Sequence, residues 1–306
     1  MQSERTFVDD LKHQFRHGGM TIKLIFINVA LFLIITIIGV FFNLKGIPHE
    51  TYLQEYAQPA GGLYTNLWAF ATHPWGLFSH MFVHFDALHV LFNMIFLYFA
   101  GKMFEQFFDQ KRLLYTYLLG GIFGGVLEIL AHFLFAKTEL SGSVVVGASG
   151  SIMAIFMAIA FYRPNITVQL FGIIPVRMII IAGIFLLMDL FKLNSGDGTA
   201  HFAHLGGAIL GMISVQRIHS SGNLITLAQR FGSFVRGLFS RNKKVRMKAQ
   251  RTSNTGSRPK TDEDYIIESK QRQDQINRIL DKISKSGYES LSKAEKDFLF
   301  NQSKNK

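Results

Sequence analysis

Four residues carry side chains able to do chemistry inside otherwise apolar stretches of this chain: Ser149, His204, His89 and Asn93. Together they offer a hydroxyl, two imidazoles and a carboxamide. Hydrolysis of a peptide bond needs that set: a nucleophile, a base that takes its proton and returns it to the leaving amine, and donors for the tetrahedral oxyanion. The serine stands in Gly147-Ala148-Ser149-Gly150-Ser151 and the histidine in Ala203-His204-Leu205-Gly206-Gly207. His89 and Asn93 are four apart and so share one helical face. A polar group in apolar surroundings is costly unless partnered, which makes each of these a functional hypothesis.

The elements that must position them read as membrane spans. The 306 residues are 49% hydrophobic and only 17% charged, against about 25% charged for a typical soluble chain. There is no cysteine, which excludes disulfides, thiol nucleophiles, thiolate metal sites and palmitoylation. A bilayer core about 30 Å thick takes roughly 20 apolar residues in a helix. Six segments approach that length: residues 22–42, 84–104, 113–135, 144–162, 175–191 and 201–216, the last two short. The expected fold is therefore an all-α polytopic membrane protein. The first span follows a polar stretch with no small-residue cleavage site and reads as retained.

Charge orients the bundle. Lys12, Arg16, Lys23, Lys102, Lys111, Arg112, Arg163 and Arg177 fall on one side together with the basic tail, while the alternate loops hold Lys45, Lys137 and Lys192. The positive-inside rule then places both termini in the cytoplasm and the protein in the inner (cytoplasmic) membrane. In that orientation Ser149 lies about five residues, roughly 8 Å, inside the outer end of the fourth span. His204, His89 and Asn93 fall in the same outer layer of their own spans. Gly207 with Gly211, and Gly150 with Ala154, form small-residue stripes that let two helices approach for a Ser–His hydrogen bond.

The chain divides into residues 1–20, a cytoplasmic segment; 21–216, the six-span core; 217–262, a basic juxtamembrane linker; and 263–306, a small helical cytoplasmic module. Within the core, residues 43–83 form a long outer loop rich in Tyr and Trp, suited to the headgroup region. Residues 217–306 hold 20 Lys/Arg against 9 Asp/Glu. That tail suits anionic lipid, and charge alone is weak evidence for nucleic acid, so no nucleic-acid partner is expected. In the module, Ile276, Ile279, Leu280 and Ile283 recur at helical spacing, and Ser292 with Glu295 reads as a capping box.

Gly147-x-Ser149-Gly150 on a fourth span, Ala203-His204-x-x-Gly207-x-x-x-Gly211 on a sixth and His89-x-x-x-Asn93 on a second resemble the rhomboid intramembrane serine proteases, bacterial type. The resemblance covers about residues 15–217. It implies a six-span rhomboid-like bundle and a Ser149–His204 dyad without an acidic third member. It also implies an oxyanion site from Asn93, His89 and the Ser149 backbone, with Gly147 beside it, and cleavage of single-pass or other membrane-protein substrates near their outer boundary. Neither a cofactor nor a metal is implied. His80 and His84 resemble upstream histidines that hold the outer loop, and Glu105 resembles an acidic residue at the cytoplasmic end of the second span. One departure is that the family's outer loop often carries Trp-Arg, whereas Trp75 is followed here by Gly76.

Rival readings use the same residues. Ser151 is a competing nucleophile but sits roughly 200° around the helix from Ser149. His201, three before His204, could serve as base, as a structural group or as a pH-sensitive one. Glu128 and His132 are spaced for a local pair. Histidines 80, 84 and 89 lack a His-Glu-x-x-His metal pattern. Asp189 and Glu105 are residues a proton-coupled transporter would use, though no inverted repeat is evident. The remaining alternative is a catalytically inactive rhomboid-like protein that binds membrane clients.

Overall fold

The computed structural model of the chain describes residues 6–135, 143–170, 173–193, 200–218, 220–239 and 262–304. It is largely helical and divides into two compact units, Met1–Arg241 and Asn242–Lys306.

The first unit opens with α1 (Phe7–His17), capped by Thr6, whose hydroxyl accepts from the Asp9 amide. A break at Gly18 and Gly19 leads into α2 (Gly19–Leu44), which is apolar all round. Residues 43–83 hold short elements. They fold into short helices α3 (His49–Tyr52), α4 (Gln58–Gly61), α5 (Leu67–Thr72) and α6 (Gly76–Ser79), with strand β1 (Leu63–Tyr64) between α4 and α5. Then come α7 (Ala87–Glu105), α8 (Gln110–Phe135), strand β2 (Val144–Val145) and α9 (Ser149–Tyr162). A hairpin of β3 (Thr167–Leu170) and β4 (Ile174–Arg177) precedes α10 (Met178–Lys192), α11 (His201–Ser214) and α12 (Leu224–Phe239).

Among the described residues only α2, α7 and α8 are long and apolar enough to cross a membrane. At 1.5 Å per residue they reach about 39, 28 and 39 Å. The expectation of six spans, and with it the six-span bacterial-type core, is therefore corrected to three. The physical reason lies at the ends of the apolar segments. The fourth begins in β2 and a turn, so α9 has 14 residues and reaches about 21 Å. The fifth begins in β4, and α10 has 15 residues. Alternating extended backbone takes residues that hydropathy alone assigns to a helix. With three apolar spans the chain is a multi-pass membrane protein.

The core lies where α8, α9 and α11 meet. A side chain at Gly207 would collide with the Gly150 carbonyl, and one at Gly211 with the Ala154 carbonyl, so α11 and α9 touch backbone to backbone. Gly206 meets the Gly124 backbone of α8 in the same way. Such contact is available only where both helices lack bulk. Nine of the fourteen α9 residues are buried.

Polar bonds tie the rest to this core. Asn28 of α2 donates to the Tyr117 hydroxyl of α8 at 3.1 Å, and that hydroxyl donates to the Met81 carbonyl at 2.7 Å. Glu105 at the end of α7 accepts from the Met20 and Thr21 amides at 2.8 and 3.1 Å, capping the positive end of α2. Arg112 reaches the Ser214 carbonyl at 2.6 Å and Asn223 at 2.9 Å, fastening α11 to the turn before α12.

The segment around Trp75-Gly76 is anchored by its own contacts. The Trp75 indole donates to the Pro59 carbonyl at 3.0 Å, and Gly76 lies so close to the Gly62 carbonyl that a side chain there would overlap it.

In the second unit, α13 (Asp262–Ser286) and α14 (Lys293–Lys304) follow one another across a turn at Gly287. Ser292 and Glu295 form a reciprocal cap, and Glu295 also pairs with Lys282 at 3.0 Å.

Candidate functional site

Ser149 is the first residue of α9, held by the turn before it. Gly147 has φ +120°, a conformation that side chains rarely adopt, and its amide donates to the His80 carbonyl at 2.9 Å. The Ala148 amide donates to His84 Nε2 at 3.3 Å, so His84 must be neutral at that nitrogen. His80 Nδ1 lies 2.9 Å from the Gly76 carbonyl. Both histidines precede α7, outside the three spans, and burial lowers each pKa to about 4. The pairing of Leu63 with Val145 and Tyr64 with Val144 ties the same turn to residues 43–83.

His89 and Asn93 stand on α7 against Gly147. A side chain at Gly147 would come within 2.7 Å of His89 and 3.7 Å of Asn93. Asn93 is buried and spends one N–H on the His89 carbonyl at 3.1 Å. Ser151 is fully buried, with no hydrogen-bond partner for its hydroxyl among the described residues.

His204 does not meet Ser149. Its Nδ1 lies 2.8 Å from Asp189 Oδ1, and His201 Nδ1 lies 2.8 Å from the same oxygen. No hydrogen bond joins Ser149 to His204 among the described residues. The structure therefore replaces the expected Ser149–His204 dyad with a buried Asp189–His201–His204 cluster. A serine hydroxyl with no base hydrogen-bonded to it has nothing to take its proton, and it remains a weak nucleophile. The expectation of an intramembrane serine endopeptidase, and of hydrolase and protease chemistry generally, is corrected on this ground. The reason is tertiary: α10 brings a carboxylate to the face of α11 that the spacing argument assigned to α9.

Glu128 also departs from its expected local pair. Its Oε2 accepts from the Ala203 amide at 2.9 Å, capping the first turn of α11. Helices α7, α8, α9, α10 and α11 with strand β2 line a cavity of about 960 Å³. Ser149, His89, Asn93, Glu128, Asp189 and His204 line its polar side; Phe96, Met153, Phe156 and Phe185 line the apolar side. Phe185 of α10 packs edge-on against Phe96 of α7 at 5.9 Å and Phe156 of α9 at 5.5 Å. Asp189 is the site residue the sequence undervalued. Its signal was its position, a lone acid near the end of an apolar segment, twelve residues before His201 and fifteen before His204.

Residues 71–220 match the family model described as Rhomboid domain, and residues 260–305 match a Family of unknown function (DUF6576). The chain is 34% identical over 154 residues to "RHOMBOID-like protein 12, mitochondrial" of Arabidopsis thaliana, covering 46% of each. It is 25% identical over 196 residues to "Rhomboid protease GlpG" of Pectobacterium atrosepticum, covering 64% of this chain and 61% of that one. It is 29% identical over 143 residues to the Haemophilus influenzae protein of the same name, covering 45% and 67%. The chain thus spans about half to two thirds of the length of these relatives. Over residues 71–220 these likenesses support a rhomboid-like fold, similar to the rhomboid family.

Proposed function

We propose that this protein is a non-proteolytic rhomboid-like protein that binds the transmembrane segments of client membrane proteins. The observation that carries this reading is the commitment of His204 to Asp189 at 2.8 Å, beside a cavity of about 960 Å³ that Ser149 also lines. The cavity has an apolar wall suited to a client's side chains. Its polar side, with His89 and Asn93 next to Gly147, suits a stretch of client backbone that has left its helix and needs hydrogen-bond partners. The aromatic contacts of Phe185 form the seam between α7 and α10, and a client helix enters there from the lipid.

In this reading both termini are cytoplasmic and the cavity faces the outer side, following the distribution of Lys and Arg. The basic residues of 217–262 lie against anionic lipid, and the helical module at 263–306 is a separate cytoplasmic element.

The test is site-specific photocrosslinking from position 185 in native membranes containing a panel of single-pass proteins. Crosslinks to clients that persist at equal yield in Ser149→Ala are expected. Client fragments that appear with the intact protein and vanish in Ser149→Ala would overturn the proposal, as would crosslinking no stronger than from an α2 position such as Ile37.

A further inference from the structure

We propose that Asp189, His201 and His204 form a binding site for one divalent transition-metal ion at the cavity end of α10 and α11. It goes beyond the client-binding reading and does not rest on it. It rests on the convergence of two imidazoles and a carboxylate from two helices.

The donor set comes first. One ligand atom from each residue lies within 4.8 Å of the other two. Both imidazole Nδ1 atoms stand 2.8 Å from Asp189 Oδ1. Around a tetrahedral ion with bonds of about 2.1 Å, ligand atoms sit about 3.4 Å apart. An ion would hold the two Nδ1 atoms and Oδ1 farther apart than their present 2.8 Å contacts, taking the place of the hydrogen bonds to the carboxylate. Two imidazoles and one carboxylate form a set of intermediate softness, suited to zinc, cobalt, nickel or ferrous iron rather than to calcium or magnesium.

Position and support come next. His201 and His204 are three apart on the first turn of α11, so one helical face presents both. Glu128 pins that turn through the Ala203 amide, which limits how far either ring can drift. The three side chains are 8–16% exposed, so bulk water competes little for the ion. All three line the large cavity, which supplies an entry path and leaves the remaining coordination positions open to water or a bound client group.

The chain also carries a rival site. His13 and His17 are one turn apart on α1, with ring centroids 4.7 Å apart, and such a pair binds metal adventitiously.

The test uses the full chain, purified in detergent through a tag without histidine and treated with chelator. Cobalt(II) is then titrated and followed by visible ligand-field absorption and by metal analysis. The expected result is one ion per chain that zinc displaces and calcium does not, accompanied by a rise in Tm. The same signal should persist in the His13→Asn/His17→Asn double variant. Asp189→Asn should weaken binding by about 100-fold, and His201→Gln should do the same. The Tm of each metal-free variant shows whether it has folded. Absence of cobalt bands in the intact chain would overturn the proposal. So would loss of the signal in the α1 variant, or unchanged binding in folded Asp189→Asn.

Discussion

Helices α9 and α10 are nearly equal in length, 14 and 15 residues, and equally apolar in character, yet they lead opposite lives. Nine α9 residues are buried, whereas in α10 only Met178, Ala182 and Asp189 are. In α9 the small residues Gly150 and Ala154 let α11 lie on its backbone. In α10, no neighbouring element among the described residues comes within 4 Å of where a Gly183 side chain would start, and Ile180, Ile184, Leu187 and Phe191 are exposed. Rigidity thus resides on the serine side of the cavity. The opposite wall is attached at its start through the buried Met178 and Ala182, midway through Phe185 and at its far end through Asp189. An apolar helix is not a buried helix; what decides is whether its neighbours can approach its backbone.

That contrast can be broken at several points. The largest effect is expected from Gly207→Val, whose side chain would overlap the Gly150 carbonyl; it should abolish folding, read as loss of monodisperse protein in detergent. Acid comes next. His80 and His84 have folded pKa values of about 4, below the ordinary 6.5. The unfolded chain therefore binds more protons between those values. Stability is full above about pH 6.5 and falls as pH drops toward 4, by up to about 3 kcal/mol per histidine. Thermal melting across that range, compared with His84→Gln, checks the sign.

Tyr117→Phe strands the Met81 carbonyl and removes one of the two bonds from Asn28, which keeps its bond to the Leu24 carbonyl, and should cost about 2 kcal/mol by chemical denaturation. Glu105→Gln keeps the shape of the α2 cap while removing its charge and should cost about 1 kcal/mol in the same measurement. Gly183→Ala should be the mildest, within about 1 kcal/mol of neutral and on the stabilising side, because nothing opposes the added methyl. A large loss from Gly183→Ala would erase the distinction between the two helices.

Much of the scaffold was legible in the residues. Its helical character follows from long apolar runs, and the spans matched by α2, α7 and α8 were among the segments that hydropathy marked. Two of the remaining segments misled because hydropathy does not distinguish the extended backbone of Val144–Val145 or Ile174–Arg177 from a helix, and the third is a helix of only 14 residues, His201–Ser214, too short to count as a span. That backbone forms because partners exist elsewhere in the chain: Leu63 and Tyr64 for the first, Thr167–Leu170 for the second. Composition of the segment itself carries no record of them.

At the site the division runs between having a group and choosing its partner. The sequence by itself determined that a serine, two α11 histidines, an α7 histidine–asparagine pair and one lone aspartate would all sit in apolar surroundings, since side-chain type and helical spacing are local properties. Only the tertiary structure decided that His204 faces Asp189 rather than Ser149. An imidazole on a helix can swing between neighbours by rotating about two bonds, and a hydrogen bond forms only within about 3 Å. Where α10 places its carboxylate relative to α11 settles that choice, and no spacing along either helix encodes it.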